Sequence, residues 1–148
     1  MVDVLAGIRV VDFSAIAAAP WATTLLALWG AEVIKVESLR KLDMSRTLVD
    51  PVTEVRYELD ASPAFSFINV NKLSIRLNLR KPEGVKLARE LVKISDVVVE
   101  SFKPGTISKL GLNYELLEKI KPGIIMLSSS VSGQTGPDRQ RPGYAPMF

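Results

Sequence analysis

The 148-residue sequence contains neither cysteine nor histidine. Without cysteine the chain can form no disulfide framework, no thiolate nucleophile and no cysteine-based metal site. Without histidine it lacks the commonest general base and metal ligand. These two absences exclude a Ser-His-Asp hydrolase, a zinc hydrolase and a histidine-dependent racemase on this chain, and we expect no metal cofactor.

A long apolar run is also missing. The most apolar stretch, residues 15–29, is interrupted by a proline and two threonines and is shorter than the ~20 residues that a membrane span needs. The first residues lack the basic segment of a signal peptide and carry Asp3 and Asp12 instead. We therefore expect a cytoplasmic protein with no membrane partner. Its hydrophobic content of 47% is enough for one folded domain.

The excess of positive charge is small and unevenly distributed. A net charge of +3 is too low to indicate a nucleic-acid-binding protein, so we expect no nucleic-acid partner. Residues 1–71 carry 6 basic and 9 acidic side chains, whereas residues 72–123 carry 11 basic and 6 acidic ones. A short basic segment suits a compact polyanion such as a nucleotide. The alternative is an ordinary solvated face of lysine and arginine, and the charge pattern alone leaves both open.

Short β-branched runs alternate with amphipathic segments along the chain. The predicted strands cover residues 8–13, 31–36, 72–79, 96–100 and 124–128. The predicted helices cover residues 20–28, 63–70, 82–94 and 114–120. This alternation predicts an α/β, Rossmann-like open sheet, mostly parallel, with helices on both faces. Residues 37–62 and 129–148 read as long loops.

Two finer expectations concern the helices. In the helix that begins at Pro82, the apolar stripe is predicted to include Leu87 and Ile94 together with four other residues: Val85, Ala88, Leu91 and Val92. Asn113 precedes the last helix and is a good N-cap residue.

Ligands of a parallel sheet bind at the carboxyl ends of its strands. The segments that follow the predicted strands are residues 14–19, 37–40, 78–81, 101–105 and 129–137. Several of them contain small residues, hydroxyl groups or cations, which are the groups that a phosphate-bearing ligand requires. The sequence therefore places the candidate site along this edge.

Individual residues at this edge allow more than one interpretation. Glu37 stands where a dinucleotide-binding enzyme places its ribose-binding acid, but the chain lacks the Gly-x-Gly-x-x-Gly turn that such enzymes need. Phe102 can stack on a flat ring, and Lys103 and Lys109 can meet phosphates. The alternative is that Phe102 is an apolar plug and the two lysines are surface residues.

The short motifs, taken in order, resemble the N-terminal portion of the class III CoA-transferase family, which includes formyl-CoA and carnitine CoA-transferases and α-methylacyl-CoA racemases. The matching segments are LAGIRVVD (5–12), AAP (18–20), GAEVIKVE (30–37), DMSR (43–46), NVNKLS (69–74), KPEG (81–84), DVVVE (96–100), FKPG (102–105), LG (110–111) and GQTGP (133–137). Each is weak alone, and their number, order and spacing carry the resemblance.

This resemblance implies a reaction between an acyl-CoA and a carboxylic acid, with coenzyme A as the carrier and no metal. A catalytic aspartate attacks the thioester and forms a mixed anhydride, and CoA thiolate then converts the anhydride to an aspartyl-CoA thioester. The family places this aspartate beyond Phe148, so no catalytic residue is assigned here and the chain alone is expected to be inactive. Family members form interlocked homodimers, so we expect a second copy or a complementing chain as a partner.

The resemblance also implies a set of residues that bind coenzyme A: Ala17, Ala18, Leu77, Asn78, Arg80, Ser101, Phe102, Lys103 and Lys109. Several positions depart from the family pattern. Ser101 replaces a common asparagine, Ser38 and Lys109 replace arginines, and Ala19 replaces a glycine. Residues 143–145 read Gly-Tyr-Ala where the racemases have Gly-His-Asp, which argues against racemase activity.

The domain expectation follows from the same resemblance. Residues 1–148 correspond to the N-terminal portion of the CoA-binding domain, and the second, smaller domain and the C-terminal return of the chain are missing. One alternative is a non-catalytic CoA-binding or assembly subunit of a split or heteromeric transferase. The other alternative is an NAD-binding module.

Overall fold

The computed structural model describes residues 3–47, 54–141 and 143. These residues form five strands and five α-helices, in the order β1 (Arg9–Asp12), α1 (Ala18–Leu28), β2 (Glu32–Glu37), α2 (Pro63–Ile68), β3 (Leu73–Arg76), α3 (Pro82–Lys93), β4 (Val97–Glu100), α4 (Thr106–Lys109), α5 (Tyr114–Ile120) and β5 (Ile125–Ser128). Two short 3-10 helices lie at Met44–Arg46 and Pro137–Gln140. Every described helix is too short or too polar to cross a membrane.

The five strands form one parallel sheet in the order β3-β2-β1-β4-β5. The predicted fold class is confirmed. Chain order runs outward from β1 in one direction and from β4 in the other, so the topological switch point lies between these two central strands. In open parallel sheets this point is where the loops diverge and leave room for a ligand.

The sheet separates two apolar clusters, so helices cover both faces. On the α1 face, Val10, Val33 and Val99 pack against alanines of α1 and its flanking turn. On the other face, α3, α4 and α5 contribute to a larger cluster of eleven residues: Val11, Phe13, Val36, Leu77, Ala88, Val92, Val98, Ile107, Leu112, Leu117 and Ile124. Burial on both faces explains why the central strands are valine-rich and do not alternate.

The structure corrects two expectations on the helices and one on a strand. Leu87 and Ile94 are exposed, at 55% and 58%, because α3 packs through Gly84, Ala88 and Val92, a straight row of every fourth residue. Asn113 makes no side-chain cap, since its amide donates to Glu115 instead. The third predicted strand is shorter than expected: β3 ends at Arg76 and is an exposed edge strand.

Two short helices lie where the sequence predicts none. The four-residue helix α4 follows the β4 loop, and the 3-10 helix at Pro137–Gln140 lies in the predicted C-terminal loop. Residues 144 and 145, on which the argument against racemase activity depends, lie outside the described residues.

Candidate functional site

The loops that follow β1 and β4 meet at the switch point of the sheet. The backbone N–H of Ala15 donates to Ser101 Oγ over 2.9 Å, and this hydroxyl lies 3.4 Å from the Ala15 carbonyl, to which it donates in turn. Ser101 therefore joins two segments that are 86 residues apart in the sequence. We call residues 14–18, 77–80 and 101–103 the carboxyl-edge loops, since all three follow strands of the sheet at the same edge.

Asp12, the last residue of β1, shapes the first of these loops. Its fully buried carboxylate accepts hydrogen bonds from the Ser14 N–H (2.9 Å), the Ser14 hydroxyl and the Thr23 hydroxyl (2.6 Å). Lys72 Nζ lies 3.1 Å from the second carboxylate oxygen and completes the set as a buried ion pair. Asp12 thus ties the β1–α1 turn to α1 and to the segment before β3.

Lys72 makes two more contacts. Its ammonium donates to the Pro20 carbonyl over 2.7 Å and to Asn69 Oδ1 over 2.9 Å. Burial lowers the pKa of Lys72 to about 8, although the neighbouring Asp12 carboxylate opposes this effect. All three N–H donors of the ammonium are therefore engaged by protein acceptors, which hold it in place. These contacts replace the water that would otherwise hydrate the charge.

A second buried ion pair supports the same turn from the β2 side. Lys35 Nζ donates to the Ser14 carbonyl over 2.8 Å and lies 3.1 Å from Asp43 Oδ2. The other oxygen of Asp43 accepts the Ile16 N–H over 3.1 Å. Burial raises the pKa of Asp43, but the Lys35 ammonium and the bonds from Ser45 outweigh it and hold this pKa below its ordinary value.

Glu37, the residue that would bind a ribose in a dinucleotide enzyme, is already engaged. Arg46 Nε and Nη2 donate to its two carboxylate oxygens over 3.0 and 2.7 Å, a bidentate pair that is largely buried. The Arg46 guanidinium also lies 3.4 Å from the centre of the Phe65 ring. Because this carboxylate is paired, the geometry disfavours the NAD-binding alternative.

The start of α1 offers unhindered backbone to a ligand. Ala17 occupies the N-cap position and supplies no side-chain cap, and both Ala17 and Ala18 are exposed. The first N–H groups of a helix have no partner within the helix and favour negative charge. The two alanines assigned from the resemblance therefore stand where an oxyanion or phosphate can approach the helix.

A buried acid ends β4, and an exposed cation lies in the loop that follows. The Phe102 N–H donates to Glu100 Oε2 over 2.6 Å, and burial raises the pKa of Glu100 although this bond and the Ser128 hydroxyl oppose it. Phe102 is partly buried and packs against the larger apolar cluster. Lys103 is exposed in the loop, and Lys109 is exposed at the end of α4.

The residues after β3 lie on the same edge but further away. Two strand spacings separate β3 from β1, which corresponds to roughly 10 Å. Leu77 is only 7% exposed and belongs to the apolar core, so its side chain does not face a ligand at the surface. Asn78 Oδ1 accepts the Arg80 N–H over 3.1 Å, and Arg80 itself is exposed. The nine residues therefore share an edge without forming one closed pocket.

Among the described residues, a groove and a smaller cavity lie away from the carboxyl-edge loops. A groove of about 500 Å³ lies between α3 and α5. A smaller cavity of about 40 Å³ lies beside Glu37 and Arg76. Neither is lined by any of the nine residues. Within residues 3–47, 54–141 and 143, no cluster of three or more acidic side chains is arranged to hold a metal ion.

The two buried ion pairs were missed by sequence reasoning. One signal for them was present, because Lys35 interrupts an apolar β-branched run in β2, and a charge inside a buried strand needs a partner. The partner itself could not be identified from spacing. Asp43 lies in the polar stretch after β2, and the Asp12–Lys72 pair joins residues 60 positions apart.

Comparison with known proteins gives a family match over almost the entire chain. The model of CoA-transferase family III matches residues 5–148. An acyl-CoA transferase of Fusarium pseudograminearum is 42% identical over 146 residues, which are 97% of this chain and 32% of that protein. The human succinyl-CoA:glutarate CoA-transferase is 43% identical over 142 residues, which are 95% of this chain and 31% of that protein. The chain thus spans about a third of the length of these curated relatives.

A solved structure agrees with this match. The crystal structure of a CAIB/BAIF family protein from Brucella suis superimposes with a TM-score of 0.86 at 41% sequence identity. The superposition covers 97% of this chain and 38% of the Brucella chain. The sheet and its helices therefore correspond to the N-terminal part of that larger fold.

Proposed function

The chain belongs to CoA-transferase family III, and from this premise we propose that its carboxyl-edge loops bind the coenzyme A moiety of an acyl-CoA. The observation that carries the proposal is the contact between Ser101 and Ala15, which joins two of these loops at the switch point of the sheet. The family resemblance assigns CoA-binding residues to both loops that this contact joins.

The loops offer distinct groups for distinct parts of the ligand. The exposed start of α1, at Ala17 and Ala18, suits a phosphate or carbonyl oxygen. Lys103 and Arg80 are exposed cations that suit the diphosphate and the 3′-phosphate. Phe102 is only partly buried against the core, and an aromatic ring at this place suits the adenine. Small, cationic and aromatic groups along one edge match a nucleotide-bearing thiol better than a bare anion.

We further propose that the complete protein transfers CoA between an acyl-CoA and a carboxylic acid. An aspartate carboxylate attacks the thioester carbonyl and releases CoA thiolate, which leaves a mixed anhydride. The thiolate then attacks the aspartyl carbonyl of the anhydride, which releases the first acid and forms an aspartyl-CoA thioester. The acceptor acid reverses these two steps. The resemblance assigns the aspartate to polypeptide beyond the 148 residues, so we expect no turnover from this chain alone.

We propose the donor and the acceptor as chemical classes. The human relative is named for succinyl-CoA and glutarate, and only the broader classes, an acyl-CoA and a carboxylic acid, are extended to this chain. The homodimer and the cytoplasmic location stay predictions.

A calorimetric titration of the purified chain with CoA tests the binding proposal. We expect saturable binding of CoA with one site per chain. We expect no binding of NAD, because the Glu37 carboxylate that would bind its ribose is already paired with Arg46. Lys103→Ala should weaken the binding of CoA about tenfold, since the loss of one charge-assisted hydrogen bond costs about 1.5 kcal/mol.

The matched control is Lys86→Ala, which removes an exposed lysine on α3, away from the carboxyl-edge loops. This variant should bind CoA like the parent. Absence of CoA binding in the parent, or equal effects of the two substitutions, would contradict the proposal.

A further inference from the structure

We propose that Asp43 is a positioning residue that holds the β1–α1 turn in the shape that a ligand meets. The proposal rests on the proposed function, because the turn forms part of the carboxyl-edge loops. It assigns a role to a buried side chain that lies 27 residues away from the turn in the sequence.

The turn contains a backbone conformation that requires support. Ile16 has a φ of +74°, in the left-handed region. This region is rarely adopted by β-branched residues, because the Cβ atom crowds the backbone. Such a residue keeps this conformation only when its surroundings fix it. Ile16 directly precedes Ala17 and Ala18 at the start of α1. Its backbone conformation therefore sets the orientation of these two residues.

The contacts that fix the turn come from outside it. Ile16 N–H donates to Asp43 Oδ1 over 3.1 Å, and the Ser14 carbonyl accepts from Lys35 Nζ over 2.8 Å. Ala15 is held by the Ser101 hydroxyl on the other side. Of these partners, Asp43 binds the strained residue itself.

Asp43 is in turn fixed on several sides. The oxygen that accepts from Ile16 also accepts from the Ser45 N–H over 3.0 Å and from the Ser45 hydroxyl over 2.7 Å. Its other oxygen lies 3.1 Å from Lys35 Nζ, and the side chains of both ionic partners are 1% exposed. These contacts fix the positions of Asp43 and Lys35. Asp43 then holds the turn through the Ile16 N–H, and Lys35 holds it through the Ser14 carbonyl.

A purely structural role for Asp43 would be confined to its own loop. Ser62 supplies the matched control for that case, because it is also buried and supports the same loop without contacting the turn. Its hydroxyl donates to the Ser45 carbonyl over 2.6 Å and caps α2. If Asp43 served only the stability of the loop, Asp43→Ala and Ser62→Ala would have the same kind of effect.

The experiment compares Asp43→Ala, Asp43→Asn and Ser62→Ala with the parent chain, in CoA affinity by calorimetry and in amide hydrogen exchange at Ile16. Both measurements are made at a temperature at which circular dichroism shows all four proteins folded. Asp43→Ala should weaken CoA binding about 10- to 100-fold, as expected for a displaced binding element. It should also speed exchange at Ile16 about tenfold, because that amide loses its acceptor.

Asp43→Asn keeps an oxygen acceptor for Ile16 but loses the charge that pairs with Lys35. Exchange at Ile16 should therefore stay within about threefold of the parent, whereas CoA affinity should lie between those of the parent and Asp43→Ala. Ser62→Ala should lower thermal stability and leave both properties unchanged. If Asp43→Ala resembles Ser62→Ala, or if amide exchange at Ile16 is as fast in Asp43→Asn as in Asp43→Ala, the proposal is wrong. If the parent does not bind CoA, the proposed function fails, and exchange at Ile16 still decides whether Asp43 fixes the turn.

Discussion

Lys72 illustrates how a single side chain links distant parts of this fold. Its ammonium contacts the end of β1, the first turn of α1 and the segment after α2. Removal of such a charge from water is costly, and the ion pair with Asp12 offsets only part of that cost. The low pKa of Lys72 is the physical consequence.

This pKa predicts a specific pH dependence of stability. The pKa of Lys72 is about 8 in the folded chain and 10.5 in its ordinary state. Between these values the unfolded chain binds more protons, so the free energy of unfolding should rise with pH. Relative to Lys72→Met, the parent should gain about 2–3 kcal/mol between pH 7.5 and 10. Urea unfolding of both proteins at several pH values measures this difference, and parallel pH profiles would contradict it.

Sequence reasoning located the sheet edge that carries the candidate site but did not identify the buried side chains that support it. Ser14 to Ala18 and Ser101 could be predicted because carboxyl ends of parallel strands share an edge. The partners of Lys35 and Lys72 could not, since tertiary structure alone brings Asp43 and Asp12 to them. Leu77 was assigned a site role, and its buried side chain leaves only its backbone for such a role.

Among the elements, α3 is joined closely to the loop after β3. A Cβ atom on Gly84 would lie 2.1 Å from the Asn78 carbonyl oxygen. Gly84 is in the first turn of α3 and is buried. Only glycine allows this helix to begin so close to the backbone of the carboxyl-edge loop, so the position of Asn78 depends on it.

Gly84→Ala should therefore destabilise the chain by about 1–3 kcal/mol, because helix and loop must separate to admit the methyl group. Alanine otherwise favours a helix over glycine, so the expected sign is opposite to that of helix propensity. Denaturant unfolding measures the change. Lys86→Ala, an exposed substitution on the same helix, should be neutral within about 0.5 kcal/mol. A Gly84→Ala chain that is as stable as the parent would refute the close contact.

Elements with a clear pattern were predicted well, and the exceptions have physical reasons. β1, β4 and α3 carry long enough signals of burial or periodicity to be recognised. The helix α4 has four residues, too few for a helical period to appear. Leu87 and Ile94 were predicted by their spacing to lie on the buried face of α3. They are exposed, because fewer residues of this helix are buried than the apolar pattern contains.

At the level of the whole molecule, one patch of exposed apolar surface lies around α1 and α2. Trp21 and Phe67 stack with ring centres 5.0 Å apart, yet they remain 38% and 66% exposed. No residue of α2 is buried. Large apolar patches on a protein surface commonly mark contacts with other polypeptide.

We expect the purified chain to self-associate through this surface. Sedimentation velocity should detect species larger than a monomer at micromolar concentration, and Phe67→Ser should reduce their fraction by removing stacked apolar area. Leu87→Ser is the matched control, because Leu87 is also a more than half-exposed apolar residue, on α3 and away from this surface. A parent that remains monomeric, or an equal response to both substitutions, would contradict this expectation.

If the carboxyl-edge loops hold coenzyme A, a crystal structure of the chain grown with CoA should show the ligand there. We expect density for the nucleotide between Ala17 and Lys103, at the switch point between β1 and β4. Density at another surface, such as the groove between α3 and α5, with the carboxyl-edge loops empty, would contradict it.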